Sequence, residues 1–179
     1  MNLKKLITPA LFSMLCIGSA NASLVDMYVG ATGGIGSQRY IVDGVMSPIG
    51  NFNKSATSYG ALIGLDVPVV RVEAEYNKLD TKALKTNLAM ANVIFKLLPT
   101  PVVTPYLGIG AGMQFNGSME TVDSDNNWAA QGMLGLTFSI PATSMKIDAE
   151  ARAVYMPDVF EDCLNIIHYE GRIKIRYQF

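Results

Sequence analysis

The chain has 179 residues, of which 50% are hydrophobic and only 16% are charged, and its mean hydropathy is +0.25. The 14 basic residues nearly balance the 15 acidic ones, so the charge gives no reason to expect binding to nucleic acid. Residues 93–103, the best candidate for a spanning helix, are interrupted by Lys96, Pro99 and Pro101 and fall short of the roughly 20 residues required. The composition predicts one domain whose apolar residues are dispersed along the chain.

The N-terminus has the pattern of a secretory signal. Lys4 and Lys5 precede the apolar run 6–17, and Ala20 and Ala22 are small residues at the positions that a signal peptidase reads. We expect a cleaved signal peptide at 1–22 and a mature domain at 23–179, with about three more acids than bases. The mature chain then has one cysteine, Cys163, so no intramolecular disulfide is expected.

Eight segments of the mature chain alternate between apolar and polar residues, as the side chains of a β-strand do. They span 26–36, 57–67, 70–77, 88–97, 106–115, 128–138, 145–155 and 169–179. Segment 88–97 alternates least cleanly, and a helix is its competing interpretation. The glycine-rich turn 32–36 resembles the phosphate-binding turn of short-chain dehydrogenases, but 37–58 is rich in Gly, Pro and Asn and has no helical period. We therefore expect no cofactor, and an exposed loop at 37–56.

The last segment, 169–179, alternates without a break. Its apolar or aromatic row contains Tyr169, Gly171, Ile173, Ile175, Tyr177 and Phe179, and its polar row contains Glu170, Arg172, Lys174, Arg176 and Gln178. In a soluble sheet the apolar row would face a core, whereas in a membrane barrel it would face lipid. Tyr177 and the terminal Phe179 resemble the C-terminal signal by which outer-membrane barrels are recognised for assembly.

Loop lengths and aromatic positions favour the membrane barrel. The connections after the second, fourth and sixth segments are short, and the other four are longer, as in bacterial barrels with periplasmic turns and outer loops. The aromatic residues of the apolar rows fall at the two ends of the strands, where interfacial girdles lie. At the outer end these are Tyr59, Tyr76, Phe115, Trp128, Tyr155 and Tyr169, and at the inner end Phe95, Phe138, Tyr177 and Phe179.

Two stretches carry a resemblance to a known family. Met90–Val93, followed by Thr104–Gly112, resembles the recurring core of the eight-stranded outer-membrane surface antigens related to OmpA, OmpX and Opa. The sequence departs from that pattern at Lys96. The resemblance implies an all-β fold, an eight-stranded antiparallel up-and-down transmembrane β-barrel in the outer membrane of a Gram-negative bacterium. It also implies contact with outer-membrane lipid and lipopolysaccharide, with the outer-membrane assembly machinery, and with a host or extracellular ligand.

The polar rows predict a charged network inside the barrel. Its ten members are Arg71, Glu73, Glu75, Lys146, Asp148, Glu150, Arg152, Arg172, Lys174 and Arg176. Counting Lys96 and Glu170 as well, seven bases would face five acids, and the surplus should reach water near Arg176 and Lys96. No metal site is expected, because Glu120, Asp123 and Asp125 miss the positions of a calcium loop.

For function, the sequence predicts only a broad class of protein. His168 and Glu170 could form an acid–base pair, but the serine of the deacylating barrels is missing, so we expect no enzyme. The expected function is a small surface protein with a structural role, and with adhesive or host contacts through loops 36–56, 116–127 and 156–168. The alternatives are a narrow pore for small solutes and a soluble periplasmic carrier resembling lipocalins, which would need its apolar rows inside.

Overall fold

The computed structural model describes residues 25–42, 55–81, 85–98, 100–116, 127–157 and 164–179. Eight strands follow one another: β1 (Asp26–Val42), β2 (Ser55–Asp66), β3 (Val70–Thr81), β4 (Lys85–Lys96), β5 (Val103–Asn116), β6 (Asn127–Ser139), β7 (Met145–Met156) and β8 (Leu164–Gln178). Within these ranges, no helix has the length and apolarity to cross a membrane. The predicted signal peptide 1–22, Cys163 and the loop acids Glu120, Asp123 and Asp125 lie outside the described residues.

The sheet closes on itself. Every strand pairs antiparallel with the next, and β8 pairs antiparallel with β1, which confirms the predicted eight-stranded up-and-down barrel. Paired residues lead from Tyr28 around all eight strands and return to β1 at Gln38, ten positions farther on. Such a stagger tilts the strands, and eight strands enclose a space only wide enough for side chains to fill.

The two faces of the barrel are the reverse of those in a soluble barrel. The outer face exposes large apolar side chains, among them Ile63 (50%), Ile109 (66%) and Leu134 (58%). The inner face buries charged ones, such as Asp148 and Lys174, both at 0% exposure. A lipid-facing barrel requires this arrangement, and a soluble carrier requires its opposite.

Outward aromatic residues lie at two levels of the barrel. Tyr59, Tyr76 and Tyr169 lie toward the loop end, where Trp128 and Tyr155 also meet edge to face with ring centroids 5.9 Å apart. Phe95, Phe138, Tyr177 and Phe179 lie toward the end with the short turns. Tyr and Trp favour the boundary between hydrocarbon and head groups, so the outer level, which consists of Tyr and Trp, marks one edge of the membrane-spanning band.

The strands extend farther toward the loops than predicted. Residues 78–81 belong to β3, and 37–42 and 164–168 pair β1 with β8, although the sequence predicted loops there. β3 ends at Thr81 and β4 begins at Lys85, so this outer connection is short rather than long. The prediction was wrong because the outward side chains Lys78 and Asp80 are charged. Backbone pairing needs no apolar side chains once a strand has left the membrane.

Candidate functional site

All ten residues of the predicted network point into the barrel. Nine are buried, and Lys146, at the inner end, keeps 24% of its side chain exposed. The two residues of the predicted assembly signal lie on the outer face, with Tyr177 53% and Phe179 59% exposed. Strand alternation produces both placements, because successive side chains along a strand leave the sheet on opposite sides.

Glu75 collects hydrogen bonds at the centre of the lumen. Gln131 Nε2 and Arg152 Nη1 each donate to its Oε1 at 3.0 Å, and Arg172 Nη2 donates to its Oε2 at 3.0 Å. The Nε of Arg172 also donates to Glu150 Oε1 at 2.5 Å. One guanidinium therefore bridges two carboxylates, which is the fork geometry that favours Arg over Lys at buried ion pairs.

Lys174 bridges a second pair of carboxylates. Its Nζ lies 2.6 Å from Glu73 Oε1 and 3.1 Å from Glu150 Oε2. Tyr28 OH donates to Glu73 at 3.0 Å, and Tyr106 OH donates to Glu150 at 2.7 Å. Each carboxylate thus has both a cation and a neutral donor, and this combination makes burial of a charge tolerable.

Asp148 lies between two arginines. Arg176 donates to it from Nε and from Nη2, each at 2.8 Å, and Arg71 Nη1 lies 3.2 Å away. The guanidinium carbon of Arg71 is 4.9 Å from the centre of the Tyr106 ring, and that of Arg176 is 4.9 Å from the centre of the Tyr28 ring. The ring faces attract the cations, so these two arginines are held by an acid and by stacking.

Asp66, the last residue of β2, also belongs to the network, although it was not among the ten predicted members. Lys96 Nζ contacts its Oδ1, Lys146 Nζ lies 3.3 Å from its Oδ2, and Gln178 Nε2 donates to the same oxygen at 3.0 Å. Lys96 and Lys146 keep 15% and 24% of their side chains exposed. This cluster forms the inner mouth of the lumen.

Asp66 changes the predicted charge balance. In the described lumen seven bases face six acids, so the surplus is one base and not two. Arg176 was expected to reach water but is 1% exposed, because Asp148 and Tyr28 hold it inside. The partly exposed bases are Lys96 and Lys146. Asp66 follows inward-facing Gly64 by two positions on β2, and this spacing was the signal that could have placed its side chain in the lumen.

At the other end of the network His168 and Glu170 meet, as a catalytic pair would. His168 Nε2 is 2.8 Å from Glu170 Oε2, and Arg152 Nε is 2.8 Å from Glu170 Oε1. Both side chains are fully enclosed, and within the part of the chain that the structure describes the second ring nitrogen of His168 has no hydrogen-bond partner. The contacts that His168 and Glu170 do make continue the ion-pair network of the lumen.

Glycines on the inner rows make room for the largest side chains. A β-carbon on Gly64 would overlap the phenol of Tyr28, and one on Gly135 would come within 2.6 Å of the Tyr106 ring. A β-carbon on Gly110 would overlap the Asn92 amide. These positions require glycine because side chains from other strands occupy the space.

An apolar cluster packs inside the lumen toward the loop end. It consists of Leu79, Leu88, Met90, Ala129, Val154 and Met156, each at most 3% exposed. Leu88 and Met90 belong to β4, whose alternation was the least clean in the sequence. The strand has apolar residues on both faces because its inner face packs in this cluster, so β4 is a strand and not the competing helix.

Among the described residues, no cluster of His, Cys, Asp and Glu could hold a metal ion. The charged network and the apolar cluster instead occupy different levels of the lumen. Charged side chains fill it from the inner mouth to Glu170, and toward the loops the apolar cluster shares it with buried polar side chains such as Asn77 and Gln114. A hydrated ion crossing the barrel would have to displace the paired and buried charges.

Similarity to solved structures bears on the fold. No family model matches the sequence, and no curated protein matches it. Among solved structures, the chain is similar to Neisserial surface protein A (NspA) of Neisseria, with a TM-score of 0.67 and 15% identity over 89% of this chain and 100% of that one. It is also similar to the N-terminal β-barrel domain of Pseudomonas aeruginosa OprF, with a TM-score of 0.50 and 17% identity over 84% and 97%. Both are eight-stranded outer-membrane barrels, and the likeness shows that this chain has their fold.

Proposed function

We propose that the protein is a small surface protein of the Gram-negative outer membrane, and that its barrel is a closed anchor which holds the loops outside the cell. The observation that carries this proposal is the filled lumen, in which paired charges and an apolar cluster occupy the interior and leave the loops as the part free to act. The similarity to NspA, a protein named for the surface, supports it. The role is structural and non-catalytic, with contacts to a host or extracellular ligand through the loops.

The barrel would contact outer-membrane phospholipid and lipopolysaccharide through its apolar outer face. The outer-membrane assembly machinery would recognise Tyr177 and Phe179, which point outward at the end of β8, where a recognising surface can reach them. The most acidic predicted loops, 116–127 and 156–168, fall largely outside the described residues. Their role in ligand binding is therefore tested by changing a loop. Replacing 117–126 by a Gly-Ser linker should abolish ligand binding and leave the barrel folded.

Orientation is the first test of this proposal. In a Cys163→Ser background, Asp80→Cys places a thiol on exposed β3 beyond the outer aromatic level, and Asp26→Cys places one at the exposed start of β1, at the inner end but outside the turns. An impermeant maleimide should label residue 80 on intact cells, and residue 26 only after the outer membrane is permeabilised. Labelling in the reverse order would overturn the proposed orientation.

Conductance separates the closed anchor from the alternative of a narrow pore. In planar bilayers the unmodified protein should give rare or very small current steps. Replacing both Glu73 and Glu150 by alanine removes the two acids that Lys174 bridges, and it should increase these steps while lowering stability. Large, frequent and ion-selective steps from the unmodified protein would refute the anchor and support the pore.

A further inference from the structure

The short turns form an apolar surface at the inner end of the barrel. We call this surface the inner rim and define it by Val69, Leu98, Val102 and Ile140. Their exposed fractions are 62%, 82%, 55% and 36%. The turn sequences 67–70, 97–105 and 139–145 contain no Asp, Glu, Lys or Arg. An exposed and contiguous apolar surface marks a site that contacts lipid or another protein.

The backbone of the inner rim satisfies many of its own hydrogen bonds. Val67 N donates to Val70 O at 2.9 Å, Leu97 N to Pro105 O at 2.8 Å, and Ser139 N to Val102 O at 2.9 Å. Proline, which has no N–H group, occupies positions 68, 99, 101, 105 and 141. These bonds and the missing N–H groups reduce the number of backbone groups that would lie unpaired in hydrocarbon, where each unpaired group is costly.

Hydroxyl groups in the turns are also directed at the backbone. Thr100 Oγ1 accepts from Val103 N at 3.1 Å, and Thr104 Oγ1 donates to Thr100 O at 3.3 Å. Thr143 Oγ1 donates to Ile140 O at 2.9 Å and accepts from Met145 N at 3.3 Å. These three threonines thereby lower the rim's demand for water.

The nearest lysines turn away from the rim. Lys96 and Lys146 flank the turns, yet both ammonium groups lie against Asp66 at the inner mouth. Lys96 Nζ also donates to Val67 O at 2.7 Å, which satisfies a carbonyl of the first turn. Lysines at a membrane edge commonly extend toward the head groups, but these two leave the surface of the rim uncharged.

We infer that the inner rim lies within the acyl region of the inner leaflet and not in periplasmic water. The rim continues the lipid-facing band past the aromatic level at Phe95 and Phe138, with no charged residue between the band and the turns. At the loop end the outward row changes from Tyr76 to Lys78 and Asp80 within one strand. The surface is uncharged, forms many of its hydrogen bonds internally and is continuous with the lipid-facing band. The occupant that fits such a surface is phospholipid. The inference rests on the proposed function only in that the barrel must span a membrane.

The test uses the single tryptophan, Trp128. In a Trp128→Phe background, one variant carries Leu98→Trp, a matched control carries Asp80→Trp beyond the outer aromatic level, and a reference carries Ile173→Trp on the lipid face. Each is refolded into phosphatidylcholine nanodiscs, which expose both membrane faces, and its folding is checked by heat-dependent gel mobility. Quenching by acyl-brominated phosphatidylcholine and by iodide is then compared. All three variants carry the same indole, so its intrinsic preference for the membrane interface affects each position equally.

Trp at position 98 should be quenched by the brominated lipid, as at position 173, and should lose most of the iodide quenching seen at position 80. Equal iodide quenching at 98 and 80 would overturn the inference. Protection at 98 from both quenchers would also overturn it, because another protein surface, such as a second copy, would then cover the rim. If Leu98→Trp does not fold, Val69→Trp carries the same expectation. Failure of the brominated lipid to quench position 173 would refute membrane insertion itself, and with it the proposed function.

Discussion

Replacing Asp148 by asparagine is the sharpest test of the lumen network. The change keeps the shape of the side chain but removes the carboxylate shared by Arg71 and Arg176, which are 2% and 1% exposed. The next carboxylates are farther away, with Arg71 3.9 Å from Glu73 and Arg176 3.8 Å from Asp66. Two buried guanidinium groups would thus lose their closest acid and have no access to water.

The magnitude follows from those distances. At an effective dielectric constant of about 20, a pair of charges 2.8 to 3.2 Å apart attracts by roughly 5–6 kcal/mol before desolvation. Measured costs of removing one partner from a buried pair are about 3–5 kcal/mol, and we expect Asp148→Asn to fall in that range. The matched control is Asp66→Asn, since Lys96 and Lys146 are partly exposed and can be hydrated. Its cost should be about 1 kcal/mol.

The assay is reversible unfolding in urea from phosphatidylcholine vesicles, followed by the fluorescence of Trp128. This residue lies on the outer face and is the only tryptophan, so its emission reports exit from lipid without a contribution from the lumen. The free energy of unfolding should fall for Asp148→Asn by at least about 2 kcal/mol more than for Asp66→Asn. Equal losses, or a larger loss for Asp66→Asn, would show that burial of the partner charges does not set the cost.

Three further predictions follow from the faces of the barrel. Deleting Phe179 should reduce the folded outer-membrane fraction, measured by heat-dependent gel mobility, far more than deleting one residue of loop 117–126. Ile173→Arg should cost about 2–4 kcal/mol in the same unfolding assay and Asp80→Arg about 0–1 kcal/mol, and the opposite order would reverse the assigned faces. Leu88→Ala, in the apolar cluster, should cost about 2–5 kcal/mol. Leu107→Ala should cost less, because lipid can fill the space on the outer face.

Period-two alternation was enough to predict the eight strands and their faces. In 169–179 each side chain points to the side of the sheet opposite to those of its neighbours in sequence. The pattern can therefore be recognised without knowing which strands pair. The same logic assigned Tyr177 to the outside and Arg176 to the lumen. Segment 88–97 was ambiguous because its inward residues are also apolar, which only the packing of Leu88 against other strands explains.

Pairing inside the lumen could not be predicted in this way. Asp66 and Lys146 are 80 residues apart, and Glu75 and Arg172 are 97 apart, so their contacts depend on the stagger of the whole barrel. A shift in the register of one strand pair would change which acid meets which base. The sequence contained the charges and their faces, but the balance of six acids and seven bases required the position of Asp66 at the mouth.

Strand length and the membrane-spanning band are offset in this barrel. Toward the loops, backbone pairing continues through Lys78 and Asp80 after the outward row has become charged. Toward the turns, pairing ends while the exposed residues Val69 and Leu98 are still apolar. Hydrogen-bonded strands therefore project into water at one end, and apolar surface projects beyond the strands at the other. Lipid requires apolar side chains and hydrogen-bonded backbone groups rather than strand structure as such. The outward side chains, and not the extent of strand pairing, therefore define how deeply the barrel lies in the membrane.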